Sequence, residues 1–364
     1  MALNCGIVGL TNTGKTTIFN CISNKKAQAS NYAFSASKSN IGMAEVPDPR
    51  LQEIDKYIKS ARIVPATVEI VDIPGLTKGS SQGEGVGNKF LTDIQQTDAI
   101  IHVLRCFDDP DLAHIEGSVN PVRDKEIVDL ELQIKDLDMV ERKIERTRKM
   151  AVHDKEAKKT LDLLLKLKDH FEEFRNARDF PFSREDRQML GDLFLLTEKP
   201  VLYVCNVDDA SAREGNDYTR KVAESLKGED TEMLIIAGEL EAEIATLEDP
   251  DDRKEFLADA GLEEPGVNKL IRSAYKLLNL ESFFTAGPKE VRAWTIHKGM
   301  NAQQAAGVIH SDLERGFIRA EVMKYEDFIR YGSEQAVKEA GKFRLEGKSY
   351  MVEEGDIMHI RFNV

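Results

Sequence analysis

The sequence predicts an α/β fold: a parallel sheet flanked by helices, interrupted by a helical hairpin and followed by a small α+β domain. Three observations carry that expectation. Short runs rich in Val and Ile recur at Leu3–Val8, Val68–Val71, Ala99–Leu104, Val201–Cys205 and Met233–Ala237, the pattern of strands buried on both faces. Each run ends at a polar or glycine-rich loop, and ligands of open parallel sheets bind outside the carboxyl ends of the strands. The pattern changes to helical spacing after the third run, and after Leu280 to strands around a single helix.

The first run leads into Gly9-Leu10-Thr11-Asn12-Thr13-Gly14-Lys15-Thr16, and Thr17–Ile22 reads as a helix. Two glycines followed by Lys and a hydroxyl residue, at a strand-to-helix junction, form a phosphate-binding loop. Its amides converge on phosphate oxygens and the helix N-terminus adds partial positive charge. Lys15 supplies a full charge to the outer phosphates, Thr16 is the expected hydroxyl ligand of Mg²⁺, and Asn12, Thr13, Gly14 and Thr17 complete the cradle.

The second run ends at Asp72-Ile73-Pro74-Gly75. An Asp there can join the Mg²⁺ shell, and the glycine can offer its amide to a terminal phosphate. The stretch Leu76–Asn88 holds Gly79, Gly83, Gly85 and Gly87 and is expected to order only around a ligand. Leu76 follows Gly75, and leucine cannot polarise an attacking water, so another group must orient the nucleophile if hydrolysis occurs. His114, in the acidic and expectedly flexible loop after the third run, is the candidate.

The fourth run ends Asn206-Val207-Asp208-Asp209, with Asn and Asp at the spacing of a guanine-reading motif but Val207 in place of its Lys. Asn206, Val207 and Asp209 are expected at the base, and Asn206 can tie the base loop to the phosphate loop. An aspartate acceptor suits guanine and opposes adenine's bare ring nitrogen, so the base stays open. Ala237 and Gly238, after the fifth run, form the opposite wall.

Within the interruption, Ile127, Leu130, Ile134, Leu137, Val140 and Ile144 mark one apolar seam, and Leu161, Leu164, Leu165, Leu167, Phe171 and Phe174 mark another. The two helices are expected to close as an antiparallel coiled coil. Its tip is basic, with Arg142, Lys143, Arg146, Arg148, Lys149, Lys155, Lys158 and Lys159, and offers contacts for RNA phosphates. The closing segment reads as strands Val291–Ile296, Phe317–Met323, Tyr350–Val352 and Ile357–Phe362 around a helix Ala302–His310 capped by Asn301, a β-grasp arrangement with Trp294 in its core. The expected partition is 1–128 and 196–280 for the nucleotide domain, 129–195 for the insertion and 281–364 for the closing domain.

A chain of 364 residues, 41% hydrophobic and 31% charged, is long enough for more than one core. Its net charge of −14 argues against general electrostatic capture by nucleic acid or anionic membranes. No apolar run approaches the roughly 20 residues that span a bilayer, and Met1-Ala2-Leu3-Asn4 lacks the regions of a signal peptide, so a cytoplasmic protein is expected. Cys5, Cys21, Cys106 and Cys205 stand far apart and read as buried small side chains.

Taken together, the phosphate loop, Asp72-Ile73-Pro74-Gly75-Leu76, the Asn206-x-x-acid loop, the inserted hairpin, and the strings Phe284–Trp294, Gly316–Val322 and Glu339–Lys348 resemble the YchF family, the Obg-like ATPases, over essentially the whole chain. The resemblance implies a Ras-like P-loop NTPase domain with an inserted antiparallel helical hairpin and a C-terminal β-grasp (TGS) domain. It also implies a cytosolic ATPase, acting on or near ribosomes, with a loop histidine at the place of His114 taking part in hydrolysis. Three features depart from the family pattern. Asp209 stands where the family has Glu, Ala36 stands where a switch threonine would contact Mg²⁺, with Ser35 or Ser37 as replacements, and Thr11 and Thr13 stand where Pro and an apolar residue are usual.

The function expected is a Mg²⁺-dependent hydrolysis of ATP in preference to GTP, working as a switch. Lys15, Gly75 and His114 take the catalytic roles, Thr16 and Asp72 the metal, and potassium near Asn12 is a further possibility carried by relatives of this loop. The alternatives are a GTPase of the same fold and a nucleotide-binding scaffold whose hairpin and TGS domain bind partners.

Overall fold

The computed structural model describes residues 3–23, 40–76 and 86–363. In chain order its strands are β1 (Asn4–Val8), β2 (Asn40–Glu45), β3 (Ile63–Val64), β4 (Thr67–Asp72), β5 (Ala99–Arg105), β6 (Val201–Asn206), β7 (Glu232–Ile236), β8 (Leu280–Ala286), β9 (Val291–His297), β10 (Phe317–Lys324), β11 (Arg344–Glu346) and β12 (Asp356–Phe362). They form two six-stranded sheets, ordered β2-β4-β1-β5-β6-β7 and β11-β10-β12-β8-β9-β3.

In the first sheet β1 pairs in parallel with β4 and β5, β5 with β6, and β6 with β7. Every residue of β5 and β6 is buried, which is why these strands lack an alternating pattern. The carboxyl ends of β1, β4, β5 and β6 therefore share one edge, and their loops form the site. All four cysteines are buried and free.

Residues group into two compact units, 1–42 with 69–270, and 43–68 with 271–364. Residues 43–68 were expected in the nucleotide domain; the structure groups them with the closing segment instead. Long-range contacts account for this. Arg50 pairs with Glu354 and stacks on Phe284 at 4.9 Å, Tyr57 meets Phe328 edge-on, and β3 pairs with β9.

In that second unit the Ala302–Ile309 helix, with its Asn301/Gln304 capping box, covers a core of Phe283, Ile296, Ala305, Phe317, Val322, Met358 and Ile360. Several expectations are corrected here. Tyr350–Val352 makes only an isolated bridge at Met351, while β8 and β11 and the helices Tyr325–Tyr331 and Glu334–Glu339 are additional. Trp294 is half-buried, its indole donating to Thr285 Oγ1 (2.9 Å) beneath the Arg292 guanidinium.

The insertion begins earlier than expected, at a single 30-residue helix, Pro121–Met150, capped by Asn120. Its second half follows the anticipated seam: Val140 and Ile144 pack on Leu163, Leu164, Leu167 and Phe171 of the Lys155–Glu172 helix. Its first half lies on the sheet, buries Val128 and Leu132, and leaves Leu130 exposed. Phe174, expected in the second seam, lies past the helix end with φ +58° and is exposed. Asp136, fully buried midway, accepts from the backbone N–H of Leu196 (2.7 Å) and Thr197 (2.8 Å) and from Thr197 Oγ1 (2.6 Å), anchoring the point where the chain returns to the sheet.

Candidate nucleotide site

The loop after β1 turns on three positive backbone angles, Gly9 (+151°), Asn12 (+61°) and Gly14 (+87°). Gly14 is required twice over: its φ suits a residue without Cβ, and a Cβ there would lie 2.1 Å from Asn206 Nδ2. Thr13 is buried, its hydroxyl donating to the Leu10 carbonyl (3.2 Å). Lys15 opens the helix Lys15–Ser23, and its Nζ donates to the Leu10 carbonyl at 2.5 Å. Burial pushes this amine down to about 8, a shift opposed by the nearby Asp72 carboxylate. A bound triphosphate would favour the charged amine and draw its pKa back up.

Thr16 Oγ1 donates to Asp72 Oδ2 at 3.2 Å. Asp72 is buried at the end of β4, and desolvation raises its carboxyl above the usual range against the opposing pull of Thr16 and Lys15. A hydroxyl and a buried carboxylate side by side are hard oxygen donors, the chemistry Mg²⁺ takes, so the residues present fit that ion. Gly75 lies against the same corner, since a Cβ on it would meet Thr11 and come within 3.3 Å of Lys15 Nζ. Leu76 is fully buried in the sheet core, its N–H donating to the Gly9 carbonyl (3.1 Å). Its side chain faces away from any water at the phosphates.

A cavity of about 470 Å³ extends from this corner. One wall is Asn12, Thr13, Gly14, Lys15, Thr16 and Thr17, the opposite one Asn206, Val207, Asp208, Gly238 and Glu239, and the third Phe107, Asp108, Asp109, Pro110 and Leu112. Asn206 joins the first two: Nδ2 donates to the Thr13 carbonyl (3.0 Å) and Oδ1 accepts from Gly238 N–H (2.9 Å). The third wall is built by Arg105, a residue whose role sequence reasoning missed. Its buried guanidinium donates to the carbonyls of Phe107 (3.2 Å), Asp109 (3.2 Å) and Leu112 (2.8 Å). An arginine closing an otherwise apolar strand was the available signal. The loop expected to be flexible is thus held at three points.

Five expected site residues do not line the cavity: Asp72 and Gly75, which adjoin Thr16 and Lys15 without reaching its surface, and three more. Asp208 caps the short 3₁₀ turn Asp209–Ser211 by accepting from Ser211 N–H (2.9 Å), which leaves the following Asp209 exposed and outside the base wall. Ala237 is buried in the sheet core. His114 is turned away: Nε2 lies 2.8 Å from Asp124 Oδ2, Nδ1 accepts from Glu116 N–H (3.1 Å), and the side chain is 4% exposed. Ser35, Ala36 and Ser37 lie outside the described residues, as does most of the glycine-rich stretch after Leu76.

The family model YchF-GTPase_C, described as a protein of unknown function (DUF933), matches residues 280–363, and one described as 50S ribosome-binding GTPase matches residues 4–143. The ribosome-binding ATPase YchF of Bacillus subtilis (strain 168) is 47% identical over 367 residues, covering all of both chains. The chain belongs to the YchF family. A second YchF relative, Obg-like ATPase 1 of Pongo abelii, is 42% identical over 369 residues, all of this chain and 93% of that one. The solved Schizosaccharomyces pombe YchF GTPase shares 34% identity with a TM-score of 0.87, covering 99% of this chain and 97% of that one. In this YchF chain the phosphate loop and Asn206 line one cavity and Asp72 is hydrogen-bonded to Thr16, a Ras-like P-loop arrangement with a helical insertion and a β-grasp closing domain. Among the described residues no helix is long and apolar enough to cross a membrane.

Proposed function

We propose that this chain is a Mg²⁺-dependent nucleotide hydrolase that takes ATP in preference to GTP and works as a switch on ribosomes, in the cytoplasm. The observation that carries the reading is that Lys15 and Thr16 line a cavity, that Asp72 and Gly75 adjoin them, and that the Asn206 bridge ties the phosphate loop to the wall at Gly238. Lys15 and the loop amides hold the phosphates, and Gly75 offers its N–H to the γ-phosphate. Thr16 and Asp72 are the residues that would hold Mg²⁺, which supplies charge neutralisation when bound. His114 orients the attacking water once its ring leaves Asp124. Asp209 lies outside the base wall, but the acidic residues Asp208 and Glu239 line it, so the preference for ATP rests on the ATPase names of the relatives. A potassium ion at Asn12 would use Oδ1, the amide's one ligating atom, and the donation of Nδ2 to the Ala113 carbonyl (3.1 Å) orients that amide.

Ribosome association follows the names of the relatives, and RNA phosphates are the partner we assign to the hairpin tip and the TGS domain. At the tip Arg142, Lys143 and Lys159 are engaged by Asp138, Asp192 and Glu156, which leaves Arg146, Arg148, Lys149, Lys155 and Lys158 as the contact set.

Side-by-side titration with labelled ATP and GTP tests the base. A tighter site for GTP overturns the ATP assignment. One observation favours a scaffold with negligible hydrolysis, namely that Leu76 is packed in the core and both ring nitrogens of His114 are engaged. Single-turnover hydrolysis with and without ribosomes separates the two readings: the hydrolase releases phosphate and is slowed by His114→Ala with nucleotide affinity retained, whereas the scaffold releases none.

A further inference from the structure

We propose that Asp124 is a positioning residue that latches His114 away from the nucleotide, so that turnover waits on the opening of one buried hydrogen bond. The inference rests on the reading of His114 as the water-orienting group and goes beyond it by naming what restrains that group.

Asp124 sits in the first turn of the Pro121–Met150 helix with its side chain 1% exposed. One carboxylate oxygen lies 2.8 Å from His114 Nε2. The other is fixed by Arg123, through Nε (3.2 Å) and the terminal nitrogen (2.9 Å), and Arg123 in turn donates to the Ser118 carbonyl (2.5 Å) and hydroxyl (3.2 Å). The carboxylate therefore has no freedom to follow a moving ring, and its place in the first turn suits a negative charge.

The tautomer of His114 follows from its second contact. Glu116 N–H donates to Nδ1, so that nitrogen carries the lone pair and the ring proton is on Nε2, aimed at Asp124. Both nitrogens are spent, and neither can orient a water until a bond is given up. The backbone is nonetheless at the cavity, because Asn12 Nδ2 holds the Ala113 carbonyl (3.1 Å) and Leu112 lines the wall. What separates His114 from the phosphates is the direction of its side chain.

A buried hydrogen bond to a carboxylate holds the closed form by about tenfold or more. Asp124→Ala is accordingly expected to raise basal kcat for ATP by about tenfold with KM and nucleotide Kd unchanged. Asp124→Asn keeps one acceptor oxygen but loses the charge and sets an amide NH₂ against the Arg123 donors, so its kcat is expected between wild type and Asp124→Ala. His114→Ala lowers kcat, and the double variant behaves as His114→Ala alone. If His114→Ala lowers kcat while Asp124→Ala leaves it unchanged or lowers it, the latch is overturned and the role of His114 stands. If His114→Ala turns over like wild type, the role of His114 falls and the latch with it. Imidazole ¹⁵N spectra of the wild-type protein give a check independent of any variant: a protonated Nε2 with a bare Nδ1 is expected, and a ring exchanging freely between tautomers overturns the proposal.

Discussion

Replacing Asn206 by Ala severs the side-chain bridge that ties the phosphate loop to the base wall. Asn206 is 5% exposed, and its amide both donates to Thr13 and accepts from Gly238 N–H. Truncation leaves a carbonyl and an N–H without partners in a buried setting, at about 1–3 kcal/mol each. Because the cavity admits water to part of that gap, we take the low end, about 2–4 kcal/mol for the two together. If this falls on the binding-competent arrangement of Gly14 and Lys15, nucleotide affinity drops about 30- to 1,000-fold. Asn206→Asp is expected to be worse than Ala despite its similar shape, since it sets a carboxylate oxygen against the Thr13 carbonyl and adds negative charge beside the phosphates. Fluorescent-ATP titration at fixed Mg²⁺ and salt measures both variants, with thermal unfolding as a check that each is folded. The reasoning fails if the Ala variant binds within about threefold of wild type, or if the Asp variant binds more tightly than the Ala variant.

Asp136→Ala leaves the N–H groups of Leu196 and Thr197 and the Thr197 hydroxyl without their buried acceptor. Burial also raises this carboxyl to about 6, so part of the loss is offset at neutral pH by removing a charge that the site disfavours. A net destabilisation of about 2–3 kcal/mol is expected, read as faster hydrogen exchange at Leu196 and Thr197. Lys15 makes nucleotide binding depend on pH. In the empty site its pKa lies at about 8, below the ordinary value of 10.5, so the empty fold bears the cost of the charged amine below about 8, and that cost fades as pH rises toward 10.5. Bound phosphates favour the charged amine, hence affinity is flat below about 8 and falls as pH rises beyond it. Titrations from neutral to alkaline pH check this, and Lys15→Met is expected to bind weakly and without the step.

The parts of the site legible in the sequence were those whose geometry is set within a few residues of chain. Gly9, Gly14, Lys15 and Thr16 are positioned by the turn they form, and Asp72 and Gly75 by the strand end they follow. Arg105, Asp124 and Asp136 escaped notice for a shared reason: each has its effect through partners, such as the Leu112 carbonyl, His114 or Leu196 N–H, that no spacing rule connects to it. The hairpin seam was legible where two helices face each other, at Val140 and Ile144. It failed at Leu130, because the same helix first packs on a sheet and so presents a different stripe.

By itself, the sequence determined that this protein cradles a nucleoside triphosphate, that Leu76 cannot orient a water, and that a charged helical hairpin interrupts the nucleotide domain, because residue type and local spacing are enough for each. Tertiary structure decided that residues 43–68 group with the closing segment, that Asp209 stands outside the base wall, and that His114 faces Asp124 rather than the phosphates. Those outcomes turn on which buried hydrogen bonds and contacts form between distant stretches of chain, and a linear pattern does not contain that competition.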